Sequence, residues 1–196
     1  MTGCHRIILG ITGATGMLYV PALLQLLAEQ KIEVHGIISE AGRKVLQFEL
    51  GLAPEQLPQV SQWFASDDFF APPASGSASY DAMVVLPCSM GSLAAIAGGY
   101  CGNLLHRSAD VTLKERRPLL LAVRETPLNR THLRNMLAAH EAGAVICPPM
   151  PSFYHHPKDL KDLVLHFAAR LCDLLGVPVS ATNINRWQGG GICGRR

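Results

Sequence analysis

GITGATGMLY, residues 10–19, decides how this chain is read. A short apolar run from Arg6 to Ile11 feeds three glycines, Gly10, Gly13 and Gly16, and an apolar helical pattern follows. Strand, glycine-rich turn and helix in that order bring backbone N–H groups to the positive end of a helix, where a phosphate binds. The phosphate can be that of a nicotinamide dinucleotide, of a flavin mononucleotide, or of another ligand.

Outward from this stretch, strand-length apolar runs alternate with helical patterns. RIILGIT (6–12), EVHGIIS (33–39), YDAMVVLPCS (80–89), PLLLAVR (118–124) and AVICPP (144–149) read as buried strands. MLYVPALLQLLAEQ (17–30), EAGRKVLQFEL (40–50), the small-residue stretch SLAAIAGG, RTHLRNMLAAHEAG (130–143) and KDLKDLVLHFAARLCDLLG (158–176) read as helices. Pro21 falls in a first turn and Gly176 after a last one, where each is tolerated or favoured. DDFFAPPASGSAS (67–79) and PPMPSFYHHP (148–157) read as loops. The alternation predicts an α/β fold, a Rossmann-like or flavodoxin-like three-layer sandwich around a mainly parallel sheet. Residues 1–196 form a single domain in this reading. The stretch from about 178 onward, ending RWQGGGICGRR, is an irregular tail, either disordered or laid over a neighbouring subunit.

Charged residues make up only 16% of the 196, against the usual quarter, while 48% are hydrophobic. A surface so poor in charge favours a homo-oligomer, because large apolar patches are rarely left exposed. The net charge of +2 and the scattered basic residues give no nucleic-acid footprint. No apolar run reaches membrane-spanning length and no secretory signal is present, so a cytoplasmic protein is expected. The six cysteines show no C-x-x-C spacing, and neither a disulfide framework nor a metal centre is expected.

The nicotinamide reading fails locally. It needs an acidic residue closing the second strand, to hold a ribose, and Ser39 stands there. Tyr154 and Lys158 have the Y-x-x-x-K spacing of a dehydrogenase pair, but Pro157 between them breaks the helix that the pair requires. Ser39 itself fits two roles equally: a hydroxyl for a phosphate or ribityl oxygen, or a helix N-cap opening SEAG.

Two stretches are dense with unusual choices. In VLPCSMGSLAAIAGGYCGNLLHRSADVTLKERRP (85–118), a buried strand runs into Ser89 and Ser92 at the carboxyl end, where open α/β sheets bind ligands. Arg107, Lys114, Arg116 and Arg117 follow within a short span, which on its own also fits a solvated helix face. In VRETPLNRTHL (123–133), Arg124 and Glu125 close a buried strand, and a charged pair there needs partners or a ligand. Tyr154 and Arg170 come later, the latter inside an otherwise apolar helix.

From GITGATG through DDFFAPPASGS, PCSMGSLAAIAGG, NLLHRSADVTLKERRPLLLAVRETPL and HLRNMLAAHEAGAVICPPMPSFYHHP to RWQG, the chain resembles the UbiX-type flavin prenyltransferases. The segment from Asn103 to Leu128 carries the resemblance most specifically. It implies a dodecamer that joins the dimethylallyl group of dimethylallyl phosphate to N5 and C6 of reduced FMN. No metal takes part, and the prenylated FMN serves a UbiD-type decarboxylase. By the same resemblance, Gly13, Ala14 and Thr15 match the loop that holds the flavin. Ser39 matches the hydroxyl on its phosphate side, Ser89, Met90, Gly91 and Ser92 the segment lining it, and Arg124 an arginine at flavin and phosphate. Tyr154 and Arg170 match groups holding the prenyl phosphate, with Lys114 and Arg107 nearby. Glu49 and Glu125 match carboxylates that handle protons, and Trp187 an aromatic that closes over the site from a neighbouring subunit. Thr15 replaces a common serine, keeping the hydroxyl; Gly102 departs from the family's charged or amide residue, and GGGICGRR has no counterpart.

The residues make this chemistry reasonable. Without a divalent ion, cationic side chains must stabilise the leaving phosphate, and each well-aimed donor contributes on the order of 3 kcal/mol. Arg124, Arg170 and Lys114 are the candidates, with Tyr154 as a neutral donor. The flavin and Trp187 would line the allyl cation. Glu125 or the departing phosphate would take the C6 proton. Two other readings are a flavin-dependent cysteine decarboxylase and a non-catalytic FMN-binding partner module. The first relies on a histidine shortly before the third predicted strand, where this chain has PPASGSAS. The second has no use for cations beyond the flavin phosphate.

Overall fold

The computed structural model of the chain describes residues 5–57 and 59–179; Trp187 and nearly all of the expected tail lie outside the described residues. Six strands are formed: β1 (Arg6–Ile11), β2 (Glu33–Ile38), β3 (Gln62–Phe64), β4 (Ala82–Cys88), β5 (Leu119–Val123) and β6 (Val145–Ile146). Between and after them run α1 (Tyr19–Glu29), α2 (Glu40–Leu50), α3 (Met90–Ala97), α4 (Leu104–Lys114), α5 (Arg130–Glu141) and α6 (Leu160–Leu174). The strands make one sheet in the order β3-β2-β1-β4-β5-β6, every neighbouring pair parallel. This is the three-layer α/β fold expected from the alternation of elements.

The central strands are apolar on both faces because both faces are covered. Ile7, Leu9 and Ile11 of β1, with Val84 and Leu86 of β4, join the buried cluster that takes in α1, α2 and α6. Ile8 of β1, with Met83 and Val85 of β4, joins the cluster under α3, α4 and α5. Truncating any of these fully buried residues to alanine would cost about 2–5 kcal/mol.

Two elements were not anticipated as such. β3 is only QWF, too short to carry a period, and exists by pairing His35↔Gln62 through Ile37↔Phe64 on the edge of β2. α4 is the cation-rich run seen from its other face: Leu104, Leu105, Ala109 and Val111 are buried beside Ser108 and Thr112. Both hydroxyls donate to carbonyls four residues back, at 2.7 Å each, which lets polar residues occupy a core stripe. The strand expected over 144–149 shrinks to Val145–Ile146. At Gly102, where the chain departs from its look-alikes, the ring of Tyr100 lies so close that a Cβ would be 2.4 Å from it. Among the described residues no helix is long and apolar enough to cross a membrane.

What positions a site is the divergence after β1 and β4. The chain leaves β1 for α1 on one face and leaves the adjacent β4 for α3 on the other. The crevice between their carboxyl ends is the switch point at which doubly wound sheets bind ligands.

Candidate active site

Four adjacent strands, in sheet order β2, β1, β4 and β5, end in Ser39, the Thr12–Leu18 loop, Ser89 and Arg124. Three inter-strand steps make this row about 14 Å long, enough for an elongated ligand. Thr12 ties its middle. The buried Thr12 hydroxyl donates to the Pro87 carbonyl at 2.8 Å and accepts the Ser89 N–H at 2.7 Å. The Arg124 N–H in turn bonds the Cys88 carbonyl at 3.1 Å. Thr12 was not among the residues singled out from sequence. Its position at the end of β1, opposite a proline that donates no N–H, is the signal that could have found it.

Two amides at the end of the opening glycine stretch are taken up by the protein itself. The Glu49 carboxylate accepts the N–H groups of Gly16 and Met17, at 3.1 and 2.8 Å. It therefore holds the turn that leads into α1, next to where the pyrophosphate of a dinucleotide would sit. Burial alone would raise the Glu49 pKa, but hydrogen bonds from Thr15, Met17 and Gly16 and the charge of Arg124 outweigh it and lower it. Glu49 is ionised at neutral pH and holds the loop. Gly13 is required by packing, since a Cβ there would lie 2.5 Å from that of Ala41, and Gly16 by its φ of +109°.

The anion-binding ends that remain open are those of α2 and α3. Ser39 caps α2, accepting the Gly42 N–H at 3.0 Å, and Ser89 caps α3, accepting the Ser92 N–H at 3.3 Å. Both are N-caps, which is one of the two roles weighed for Ser39; the cap does not preclude the other, although Glu40 stands in the first turn of α2. The first turn of α3 holds Met90 and Gly91 and no acidic residue. A Cβ at Gly91 would meet nothing within 4 Å, so this edge of the crevice is clear of the chain's own atoms. Two helix dipoles, serine hydroxyls and the exposed Arg124 fit the phosphate and polar tail of FMN. Ser92 also lies 3.3 Å from Nε2 of His106, whose pKa burial lowers and whose Nδ1 is buried without a partner. His106 too was missed in the cation-rich run.

A second set lies on α6. The Tyr154 hydroxyl, from the loop before α6, is 2.9 Å from His166 Nε2, and Arg170 follows His166 by one helical turn on the same helix face. Arg170 is exposed, its guanidinium 3.9 Å from Asp173. Tyr154 and Lys158 precede the helix rather than sharing it, as Pro157 required.

Three expectations change. Lys114 does not join either set within one chain. It ends α4, five residues before β5 begins, pairs with Glu115 and lies against Gly76 at the amino edge of the sheet, opposite the crevice. Arg107 points into the 67–79 loop, donating to the Ala74 carbonyl at 3.2 Å and to Asp110 at 2.7 Å. Glu125 is not a buried charge needing a partner: it is exposed, and its carboxylate accepts the Thr126 N–H at 2.9 Å. Among the described residues, no three His, Cys, Asp or Glu side chains converge as a metal site. Burial pushes the Cys88 and Cys147 thiols up to about 12, which leaves both unreactive.

A doubly wound sheet with two serine-capped helix ends and an arginine on its carboxyl edge defines a mononucleotide-binding α/β protein, and residues 1–165 match the Flavoprotein family. Within that class, the chain belongs to the UbiX-type flavin prenyltransferases, a family of transferases. Flavin prenyltransferase UbiX of Pseudomonas aeruginosa is 45% identical over 193 residues, 91% of this chain and 92% of the relative. AnUbiX, whose crystal structure contains FMN and dimethylallyl pyrophosphate, superposes with a TM-score of 0.91 at 39% identity, over 96% of this chain and 100% of its own. A dodecameric FMN-dependent UbiX-like decarboxylase from Escherichia coli O157:H7 gives 0.89 at 40% identity, over 94% and 100%.

Proposed function

We propose that this flavin prenyltransferase takes its C5 group from dimethylallyl phosphate, without a metal ion, and delivers prenylated FMN to a UbiD-type decarboxylase in the cytoplasm. The observation that carries the reading is the presence of two separate anion-binding sets. Ser39, Ser89 and Arg124 line the strand edge, and Tyr154 bonds His166 on α6, one helical turn before Arg170. A protein holding FMN alone needs one such set; one that also holds a prenyl phosphate needs two.

FMN, when bound in reduced form, supplies the nucleophilic N5 and C6 positions. Everything else falls to the chain. Ser39 and the α2 and α3 termini bind the flavin phosphate and orient it. Gly13, Ala14 and Thr15 form a wall made rigid by Glu49, and Ser89 to Ser92 form the facing one. Arg170 and Tyr154 hold the donor phosphate and take up the charge that grows on it as its C–O bond breaks, each worth about 3 kcal/mol. Arg124 belongs to the strand-edge set, and its charge also reaches Glu49. In this reading Glu125, next to Arg124 in the chain, takes the C6 proton in competition with the departing phosphate.

Lys114 and Arg107 serve the reaction only from another copy of the chain. The large exposed apolar residues, among them Phe48, Phe70 and Met150, support such an assembly, as does the dodecameric relative. Anaerobic incubation with reduced FMN and dimethylallyl phosphate, followed by mass spectrometry of the flavin, tests the reading. A flavin heavier by one prenyl group is expected, and an unchanged mass would refute it.

A further inference from the structure

His166 was not singled out from sequence, and neither the strand-edge set nor the two residues matched to the donor phosphate include it. It sits on the face of α6 between them. Its Nε2 is 2.9 Å from the Tyr154 hydroxyl and its Nδ1 is 3.0 Å from the Ser152 hydroxyl. Its ring stacks on that of His155, with centroids 4.2 Å apart and planes 2° from parallel. Tyr154 meets it edge-on at 5.4 Å. An apolar ring would satisfy the stacking equally well. A ring with both nitrogens engaged, one on each side, is a device for holding a proton in place.

Hydroxyls on both sides of the ring suit either neutral tautomer. Where the Ser152 hydroxyl donates to Nδ1, the neutral ring is protonated at Nε2. Nε2–H then donates to the Tyr154 oxygen, and the phenol's own proton is directed away from α6. In the opposite tautomer Tyr154 donates to the ring and turns lone pairs toward any incoming anion. Only the first arrangement makes Tyr154 a donor to phosphate.

We propose that His166 is a positioning residue for the prenyl donor. Locked in its Nε2–H form by Ser152 and held in plane by His155, it turns the Tyr154 hydroxyl into a hydrogen-bond donor aimed at the donor phosphate. This rests on the assignment of Tyr154 to that phosphate. One hydrogen bond to a charged phosphate is worth about tenfold to a hundredfold, and misaiming it forfeits part of that.

The test is steady-state kinetics of the full-length enzyme with dimethylallyl phosphate as the varied substrate, with FMN binding followed separately by fluorescence. His166→Phe keeps the stacked ring and removes the donor. It should lower kcat/KM for dimethylallyl phosphate by about fivefold to tenfold, with FMN affinity unaltered. His166→Gln, which restores an N–H near the same place, should recover most of that loss. Ser152→Ala, which only frees the tautomer, should lower kcat/KM by about twofold to threefold, and carries the comparison if His166→Phe proves insoluble. Tyr154→Phe distinguishes the positioning role from the assignment it rests on. If Tyr154→Phe lowers kcat/KM and neither His166→Phe nor Ser152→Ala does, the positioning role is wrong. If Tyr154→Phe itself leaves kcat/KM unchanged, the assignment of Tyr154 to the donor phosphate is wrong.

Discussion

Glu49 Oε2 lies 2.8 Å from the amide nitrogen of Met17, so the protein's own carboxylate holds the turn that leads into α1. In dinucleotide-binding proteins with the same strand order the ligand's pyrophosphate sits at that turn. With a carboxylate already there, the seats proposed for a ligand phosphate are the ends of α2 and α3, on either side of the crevice.

Replacing Glu49 should therefore loosen the loop and not only the chemistry. Glu49→Gln loses a charge-assisted acceptor and turns an N–H toward two others, so a loss of about 1–3 kcal/mol in unfolding free energy is expected, with weaker FMN binding. The pH dependence has a definite sign. The folded pKa lies below the ordinary 4.5, so the ionised carboxylate stabilises the fold above the unfolded value, and that contribution disappears as pH falls through the folded one. Urea unfolding of wild type and Glu49→Gln across this range should show the two curves converging in acid. A gap that stays constant down to acid pH would assign the effect to packing.

Thr12→Val tests the clasp across the crevice. It keeps the shape and the backbone N–H bond from residue 12 to the Pro87 carbonyl, but removes the hydroxyl's bond to that carbonyl and leaves the Ser89 N–H without the Thr12 oxygen, so about 1–3 kcal/mol of stability should be lost. Because Ser89 opens the wall proposed for the flavin, the FMN dissociation constant should rise with it. A variant as stable and as tight-binding as wild type would remove Thr12 from the site.

Arg170→Ala addresses the donor set alone. Losing one charged donor at a growing negative charge should lower kcat/KM for dimethylallyl phosphate by about a hundredfold, with FMN titrations unchanged. Full retained activity would instead favour a module that binds flavin only.

Lys114 gives the most geometric of the tests. In its own chain it stands at the amino edge of the sheet, and Arg124 at the carboxyl edge, with β5 between them. Lys114→Ala and Arg124→Ala should each be inactive while still assembling. Hybrid oligomers obtained by co-expressing the two should regain activity, because some sites then receive both wild-type side chains. Hybrids as inactive as their parents would mean that Lys114 supports no neighbour's site.

The sequence made the sheet legible because its central strands are apolar on both faces, and a run such as Ala82–Cys88 has few other uses. It concealed β3, whose three residues owe their state to a neighbour, and α4, whose cations drew attention from the buried Leu104, Leu105 and Ala109 beneath them. The strand-edge residues were readable because each follows a strand directly. Thr12, His106 and His166 were not, since each acts through a hydrogen bond to a residue distant in sequence. The convergence expected of Lys114 with Tyr154 and Arg170 failed in the single chain for the same reason: motif spacing does not say which end of a helix faces which edge of a sheet.

The central claim is that arginine and tyrosine donors, rather than a divalent ion, draw the phosphate from its prenyl group. The rate of prenylated flavin formation from reduced FMN and dimethylallyl phosphate, measured anaerobically in excess chelator, tests it most directly. An undiminished rate is expected. Turnover that stops in chelator and returns with magnesium would contradict it.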